Sequence, residues 1–397
     1  MKILIISPLV PWPLYSGGSV RIFNLLKQMS LRGHEVFLLV GENSSSLTID
    51  SELAGFCEKI YTYKIPIFNS FFFHLRSVFS FKIYPAVKFQ SKYFKEILYS
   101  ILSEKKPDII WVNFSFMVDM LPDGLHKKIP VILDQHESER LVYYGYLKKG
   151  NLLQKVFSLI NIIKLNAFER KVFSNINIVL CVSEGEAAVI GKHIKKEVKI
   201  LVVPNGVDEA FFNNLDSKTS KENIIIFCAN MAIRRNIEAA VWFAKRIFPK
   251  IKRQIPDAKF WIVGSWPSLE VLRLNEIPGV KVVGMVKDIK KYYTKGKVFV
   301  APYHFGAGTK LKVFEAMASG VPVVSTDIGA QGIEVTNNKN IVIANNENDF
   351  CNSVVELLSN LQRAKEVGDA GQSLVKEKYT WNKIVSRLEP EILKLLP

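Results

Sequence analysis

Several common signatures of enzyme chemistry are absent from this 397-residue sequence. It contains no GxxxxGK[ST] phosphate loop, no GxGxxG turn, no GxSxG turn and no HExxH pair. P-loop nucleotide hydrolysis, the common mode of dinucleotide binding, α/β-hydrolase chemistry and zinc-protease chemistry are therefore not indicated. The paired carboxylates of a DxD motif, which can hold Mg²⁺ or Mn²⁺, are absent as well.

Cysteine and long apolar runs are also scarce. The four cysteines, Cys57, Cys181, Cys228 and Cys351, are far apart and form no CxxC pair, which argues against a disulfide framework or a zinc site. No window reaches the roughly 18 apolar residues of a membrane span. The opening residues 1–10 are too short and too regular for a signal peptide. We expect buried thiols and a cytoplasmic protein.

The bulk composition is that of a globular protein, with 48% hydrophobic and 23% charged residues. The length fits two domains of roughly 150–200 residues each. The formal net charge is +16, which predicts an anionic partner: nucleotide phosphates, an anionic membrane surface or nucleic acid. Charge alone does not choose among them.

Short apolar runs alternate with helical patterns along the whole chain. The first half opens with an apolar run at 2–10, Gly17 and Gly18, a helix ending near Gly33 and the strand EVFLLV, followed by PDIIWVN, IPVILD, INIVLCVS and VKILVVPN. The pattern restarts near residue 210 with NIIIFCAN, AKFWIVG, VKVVG, VFVAPY, PVVST and NIVIA. Such alternation predicts two α/β domains, each a doubly wound parallel sheet, with ligands at the carboxyl ends of the strands.

Residues 60–95 break this pattern because they contain no acidic residue, six Lys or Arg and twelve Phe or Tyr, including Phe71, Phe72 and Phe73. A basic and aromatic segment suits the surface of an anionic membrane. Aromatic clusters also form cores and subunit interfaces, and they stack on single-stranded nucleic acid. No nucleic-acid-binding motif accompanies the segment.

Two glycine-bearing turns stand where phosphate groups could bind. Gly17 and Gly18 directly precede a helix, where backbone N–H groups can approach an anion. The stretch 302–326, PYHFGAGTKLKVFEAMASGVPVVST, repeats this arrangement and adds Thr309, Lys310 and Lys312 as a hydroxyl and two cations. Two such loops facing each other would enclose one diphosphate.

The order of motifs resembles a known family. The motifs are SGG before the first helix, GHEV, LDQHES, VSEGE, VPNGVD, WIVG, VVGMVKD and GAGTKLKVFEAMASGVPVVSTDIG. Together they span essentially the whole chain and are similar to those of the large retaining glycosyltransferase family of the GT-B fold, the group 1 glycosyl transferases. The resemblance implies two Rossmann-like domains facing across a cleft, a UDP-sugar or GDP-sugar donor, a saccharide or lipid-linked saccharide acceptor, and no required cofactor or metal ion.

The resemblance also implies a separate role for each part of the chain. Residues 1–208 would form the acceptor domain, with 60–95 as an insert, and 209–380 the donor domain. Residues 381–397 would form a terminal helix that packs on the N-terminal domain. The expected role is cell-surface polysaccharide, O-antigen or glycolipid assembly at the cytoplasmic face of the membrane, with possible contact to anionic lipid and no nucleic acid.

Site residues follow by matching positions to the family's motifs. His136 matches the histidine at the reaction centre, and Glu315 matches the second Glu of an E-x7-E motif and would bind the ribose hydroxyls. Gly17 and Gly18 would flank the donor phosphate, while Met285 and Val286 would read the base through their backbone. The loop that would wrap the diphosphate and sugar contains Gly306, Gly308, Thr309, Lys310, Leu311 and Lys312.

The chain departs from the family pattern at two places. The first Glu of E-x7-E is replaced by Ala307, and Asn230 stands where many members carry an arginine. We expect Arg234 or Arg235, with Lys310 or Lys312, to supply the positive charge. The departures leave two alternatives open: a non-catalytic sugar-nucleotide-binding or scaffold subunit, and a sugar-nucleotide epimerase or glycan phosphorylase on the same fold. Turnover with an acceptor distinguishes transfer from both.

Overall fold

The computed structural model describes residues 1–14, 16–42, 50–65, 76–194, 197–212, 222–306 and 308–396. The chain divides into two compact units, Met1–Pro204 with Val385–Pro397, and Asn205–Ile384. Phe71, Phe72, Phe73 and Ala307, which the sequence analysis singled out, lie outside the described residues.

A seven-stranded parallel sheet organises the first unit, in the order β3-β2-β1-β4-β5-β6-β7. Its central strands are continuous apolar runs because helices cover both faces of a doubly wound sheet. Ile5 of β1 pairs with Leu38 on one side and Trp111 on the other. The strands are β1 (Lys2–Ser7), β2 (Glu35–Glu42), β3 (Lys59–Lys64), β4 (Ile109–Asn113), β5 (Val131–Gln135), β6 (Ile178–Cys181) and β7 (Lys199–Val202).

Helices lie between these parallel strands along the chain. The helices of this unit are α1 (Gly17–Leu31), α2 (Ser51–Ala54), α3 (Tyr84–Lys88), α4 (Tyr93–Lys105), α5 (Ser115–Val118), α6 (Glu139–Lys149), α7 (Leu152–Phe173) and α8 (Glu184–Ile190). A short 3-10 helix covers Leu125–Lys127.

A six-stranded parallel sheet organises the second unit, in the order β10-β9-β8-β11-β12-β13. Its strands are β8 (Ile224–Cys228), β9 (Lys259–Val263), β10 (Val280–Gly284), β11 (Val298–Ala301), β12 (Val323–Ser325) and β13 (Val342–Ile343). Its helices are α9 (Arg234–Trp242), α10 (Phe248–Gln254), α11 (Leu269–Leu272), α12 (Lys290–Lys295), α13 (Leu311–Ala318), α14 (Glu347–Ser359) and α15 (Leu361–Lys378). A π-helix (Phe243–Ile247) and two 3-10 helices (Glu209–Phe211 and Arg273–Glu276) complete the described elements.

The last helix, α16 (Trp381–Leu393), starts in the second unit and ends in the first. In the second unit, Trp381 lies over Gly206, where a Cβ would come within 2.7 Å of its ring. In the first unit, Glu389 of α16 forms ion pairs with Arg32 and His34. The predicted helix therefore returns to the N-terminal unit.

The predicted fold class is confirmed, and each apolar run named above contains a strand. Two details differ. The chain leaves the first unit after Pro204 rather than near residue 210. Residues 59–64, expected to belong partly to an insert, form the edge strand β3 of the sheet. This strand reads KIYTYK and contains one aliphatic residue, so it lacks the apolar run of the other strands. Its Tyr63 is buried against Phe94 with ring centroids 5.2 Å apart.

Candidate functional site

The first helix begins at the glycine pair noted in the sequence. Ser16 is the N-cap of α1, and its side chain accepts a hydrogen bond from the backbone N–H of Ser19 at 3.1 Å. Gly17 and Gly18 form the first two helical positions. A Cβ built on Gly18 would lie 3.4 Å from Nδ1 of His136. The structure therefore brings Gly18 and His136 together.

His136 is buried and uses one of its two ring nitrogens. Its Nε2 lies 3.0 Å from Oδ1 of Asn113, whose Nδ2 donates to the carbonyl of Ile6 at 3.1 Å. Because that second bond fixes the amide, Oδ1 accepts and Nε2 carries the proton. Burial lowers the pKa of His136 to about 4. Nδ1 is thus an unprotonated acceptor, buried without a hydrogen-bond partner among the described residues, and it faces Gly18.

An ion pair that the sequence analysis missed lies beneath His136. Arg21 of α1 and Asp134 of β5 are both buried, and Nε and Nη2 of Arg21 lie 2.9 and 2.8 Å from Oδ1 of Asp134. Nη1 donates to the carbonyls of Val203 and Pro204. A charged residue within the predicted apolar face of a helix was the available signal, because it requires a buried partner.

The VSEGE motif positions the loop that carries His136. Glu186 is buried, and its carboxylate accepts hydrogen bonds from the backbone N–H groups of Ser138 at 3.1 Å and Val182 at 3.3 Å. Burial raises the pKa of Glu186 to about 7. This carboxylate ties the end of β6 to the residues just after His136.

In the second unit, the glycine-bearing loop after β11 adopts backbone conformations that favour glycine. Gly306 has φ +115° and Gly308 has φ +76°. The side chain of Arg235 lies directly against Gly306, since a Cβ built there would be 2.8 Å from Cδ of Arg235. A cation therefore packs on the loop where the sequence predicts a diphosphate.

Side chains of the same loop fold back onto it. Lys310 is buried, donates from Nζ to the carbonyl of Gly308 at 2.7 Å and lies 5.6 Å from the centre of the Tyr303 ring. Oγ1 of Thr309 accepts a hydrogen bond from Nδ2 of Asn205 at 2.6 Å. Asn205 belongs to the VPNGVD motif, to whose residues the sequence analysis gave no role.

Helix α13 begins at Leu311, directly after this loop, so its first backbone N–H groups point toward it. Glu315 is buried on the helix, and its Oε2 accepts a hydrogen bond from the hydroxyl of Tyr293 at 2.9 Å. Lys312 donates to both oxygens of Glu315, at 2.7 and 2.9 Å. The carboxylate is thus held in place by two donors, and a carboxylate has about four acceptor positions.

Two further predicted residues lie after β8. The side chain of Asn230 accepts from the backbone N–H of Ala232 at 2.9 Å, and its carbonyl accepts from Nδ2 of Asn236 at 2.7 Å. Asn230 therefore shapes the turn into α9. Arg234 is exposed and pairs with Glu238 and Glu270, at 2.8 and 2.9 Å.

The loops after β9 and β10 meet those after β8. The N–H of Gly264 donates to the carbonyl of Gly284, and a Cβ on Gly264 would come within 1.7 Å of the carbonyl oxygen of Ala229. Met285 follows with its side chain 54% exposed, and Val286 packs on the core. Met285 is an apolar side chain open to solvent beside these backbone groups.

Several of the predicted residues contact one another within each unit. Gly17, Gly18 and His136 gather in the first. In the second, contacts connect Arg235 to Gly306, Lys310 to Gly308, and Lys312 to Glu315. Among the described residues no group of three or more His, Cys, Asp or Glu side chains is placed to hold a metal ion, and no helix there is long and apolar enough to cross a bilayer.

Comparison with known proteins matches both units to related families. Residues 15–211 match the family model described as Glycosyltransferase Family 4, and residues 222–360 match Glycosyl transferases group 1. A protein encoded in the cps region of Klebsiella pneumoniae, described as an uncharacterized 44.6 kDa protein, is 23% identical over 98% of this chain and 99% of its own.

Solved structures share the fold. Sucrose-phosphate synthase from Thermosynechococcus elongatus superposes with a TM-score of 0.73 at 17% identity, covering 100% of this chain and 99% of its own. Anabaena HepE, solved with UDP and glucose, has a TM-score of 0.68 at 12% identity and covers 99% of both chains.

Proposed function

We propose that this chain is a group 1 glycosyltransferase and that it moves a sugar from a nucleoside diphosphate sugar to an acceptor hydroxyl with retention at the anomeric carbon. The observation that carries the proposal is the convergence of Arg235, the glycine-bearing loop and the start of α13. Backbone N–H groups at a helix start and an adjacent guanidinium bind a diphosphate well.

The chemical task is to stabilise the negative charge that develops on the leaving diphosphate. Fixed N–H dipoles and the cations Arg235, Lys310 and Lys312 perform it without reorganising during the reaction. Lys312 now neutralises Glu315. When a donor binds, the ribose diol takes acceptor positions on Glu315, and Lys312 can turn toward phosphate. We propose that no metal ion is needed, which turnover in excess chelator tests.

In the other unit, Nδ1 of His136 offers a buried acceptor beside Gly18. We propose that it accepts a hydrogen bond from a hydroxyl of the transferred sugar. The departing phosphate oxygen then takes the acceptor proton on the same face, so no protein nucleophile is required. The anomeric configuration of the product, read by NMR, tests retention directly.

A thermal-shift screen tests donor binding. UDP, GDP and their sugars are added to the full chain, and a ligand at a hundredfold excess over its dissociation constant stabilises by roughly 3 kcal/mol. We expect one nucleotide series to raise the melting temperature and Glu315→Gln, which keeps the side-chain shape, to abolish most of that rise. If no UDP-, GDP- or ADP-sugar binds or is hydrolysed and Glu315→Ala changes nothing, the proposal fails.

For the acceptor, we propose a saccharide carried on a lipid at the cytoplasmic face of a membrane, in cell-surface polysaccharide or glycolipid assembly. The net charge of +16 supports a site of action near an anionic surface. Only some of the described residues in the aromatic and basic segment 60–95 support a contact with the membrane. Tyr63 and Phe94 are core residues, and Lys82 is paired with Asp119 at 2.7 Å, whereas Phe79 and Phe81 are exposed.

A further inference from the structure

The longest helix of the first unit has two apolar sides. Helix α7 (Leu152–Phe173) buries Leu165, Phe168 and Val172 against the core. Its opposite side carries Leu152, Val156, Leu159 and Ile163, which are 76%, 51%, 53% and 71% exposed. Their spacing of four, three and four residues places them on one face. We call these four residues the outer stripe.

Other exposed apolar side chains lie on the same helix and on a segment that contacts it. Leu153, next to Leu152 on the same helix, is 81% exposed. Phe79 and Phe81 belong to a segment that packs along α7, and they are 81% and 98% exposed. Single exposed apolar residues are ordinary on protein surfaces, but four on one helix face, with further exposed apolar side chains on the same helix and on the segment that contacts it, are typical of a binding surface.

Specific contacts hold that segment against the helix. Lys164 of α7 donates from Nζ to the backbone carbonyls of Ser77 and Val78. Further along, the N–H of Tyr84 donates to Oδ1 of Asn161 at 3.1 Å, and the Tyr84 ring meets Phe157 edge-on at 5.8 Å. The backbone that carries the exposed phenylalanines is therefore held against α7.

The surroundings of the stripe are basic and free of carboxylates in sequence. Residues 140–168 and 59–95 contain no Asp or Glu, and these are the two stretches that the contacts above join. Lys148 and Lys155 are exposed on α6 and α7, and Lys88 is exposed on the neighbouring segment. The carboxylate of Asp119 forms ion pairs with Lys82 and Lys171.

This charge pattern decides between two kinds of occupant. In a symmetric dimer a patch faces its own copy, so lysines would meet lysines with no acidic partner within these stretches. An anionic bilayer instead offers negative head groups to the lysines and an acyl boundary to the leucines and phenylalanines. Aliphatic and aromatic side chains flanked by lysines are the composition of a helix that lies in the membrane interface.

We propose that the outer stripe, with Leu153, Phe79 and Phe81, docks this protein on an anionic lipid leaflet, with α7 lying parallel to the membrane plane. The inference rests on the proposed action on a lipid-linked acceptor and names the surface that would bring the enzyme to it. The surface overlaps the one suggested by sequence only at Phe79 and Phe81, because the outer stripe itself lies on α7, outside residues 60–95.

Flotation of the full chain with lipid vesicles tests the proposal. The wild type is expected to float with vesicles of phosphatidylglycerol and phosphatidylcholine and to remain unbound with phosphatidylcholine alone. A stripe variant, Leu152→Gln, Val156→Gln, Leu159→Gln and Ile163→Gln, is expected to lose binding by at least about tenfold, since its apolar insertion is removed. The double variant Lys148→Glu with Lys155→Glu is expected to bind the vesicles more weakly than the wild type. Its binding should also change less with salt concentration.

The matched control is Leu31→Gln with Leu393→Gln, because both leucines are exposed on the same unit, at 62% and 46%, but lie on other helices. This control is expected to bind vesicles like the wild type. Circular dichroism and the melting temperature verify that every variant folds. Wild type that fails to float, or a stripe variant that floats equally well, overturns the proposal.

Two measurements separate this inference from neighbouring explanations. Light scattering reports mass: a wild-type dimer that the stripe variant converts to a monomer, without vesicle binding by either, would assign the surface to a second copy and overturn the membrane proposal. Thermal shift with UDP and GDP reports the donor site, which the stripe variant should leave unchanged. If the wild type shows no thermal shift with UDP or GDP, that result counts against the proposed function instead.

Discussion

Arg21 and Asp134 form a two-point ion pair with side chains 1% and 0% exposed, although 113 positions separate them in the sequence. The pair joins the helix that begins at Gly17 to the strand that ends just before His136. The same guanidinium holds the carbonyls of Val203 and Pro204, where the chain leaves the first unit. One buried cation thus fixes three segments relative to one another.

Removing one partner of this pair should be costly because it leaves the other charge buried and uncompensated. We expect Arg21→Met to lower the free energy of unfolding of the first unit by about 3–5 kcal/mol. Hydrogen exchange of the β5 amides measures this unit by itself. Lys365→Met removes one partner of an exposed helical pair with Asp369 and should cost far less, because solvent screens that pair.

The double variant Arg21→Met with Asp134→Asn isolates the interaction in a mutant cycle. It should be more stable than the sum of the single changes predicts, because no unpaired charge remains. Strict additivity would contradict the pairing. A loss for Arg21→Met no larger than that for the exposed lysine would contradict it as well.

The imidazole of His136 should remain neutral at pH values well below the usual pKa of a histidine side chain. Burial lowers its pKa to about 4, so its imidazole ¹⁵N shifts should titrate near that pH and should show a proton on Nε2 above it. Because the folded pKa lies below the unfolded value of about 6.5, this histidine stabilises the fold above that pH. The contribution is lost as the pH falls from about 6.5 through 4.

A second variant checks the cause of the shift. Asp134 raises the pKa of His136, opposing the larger effect of burial, so Asp134→Asn should move the midpoint lower. Histidine-selective ¹⁵N labelling resolves the signal among the six histidines. A midpoint above pH 6, or a proton on Nδ1, would contradict the hydrogen-bond arrangement with Asn113.

The strands were predictable because parallel sheets buried on both faces leave continuous apolar runs, as in KILIIS and NIIIFC. The site was predictable only where a motif carries it. Arg21 lies in an ordinary amphipathic stretch, and no spacing rule links it to Asp134. Glu186 and Asn205 stand in recognised motifs, but their partners, a backbone N–H after His136 and the hydroxyl of Thr309, depend on the tertiary fold.

The sequence did not indicate which residues of α7 are exposed to solvent either. The sequence of α7 is apolar on two sides, and periodicity indicates which residues share a face but not which face the core covers. Likewise, Arg234 and Arg235 are equivalent choices in the sequence, and only the packing of Arg235 on Gly306 distinguishes them.

That distinction predicts unequal effects of two adjacent substitutions. Arg235→Gln should lower kcat/KM for the donor by about 10²-fold or more, since a cation beside the diphosphate is lost. Arg234→Gln should change it less than about threefold, because Arg234 forms exposed pairs with Glu238 and Glu270. Steady-state kinetics with varied donor measures both. Equal losses, or a larger loss for Arg234→Gln, would assign the phosphate contact to the other arginine.

The glycine-bearing loop allows a matched test of the same contact without touching the arginine. Gly306→Ala places a methyl group 2.8 Å from Cδ of Arg235, whereas a Cβ on Gly308 meets nothing within 4 Å. Both positions have positive φ, so each alanine should cost about 1–3 kcal/mol of backbone strain. Only Gly306→Ala should displace the guanidinium and reproduce the kinetic defect of Arg235→Gln. In the double variant with Arg235→Gln the two defects should not add, because both act on one contact. If Gly308→Ala lowers kcat/KM as strongly, the loop backbone itself, rather than the position of Arg235, limits donor binding.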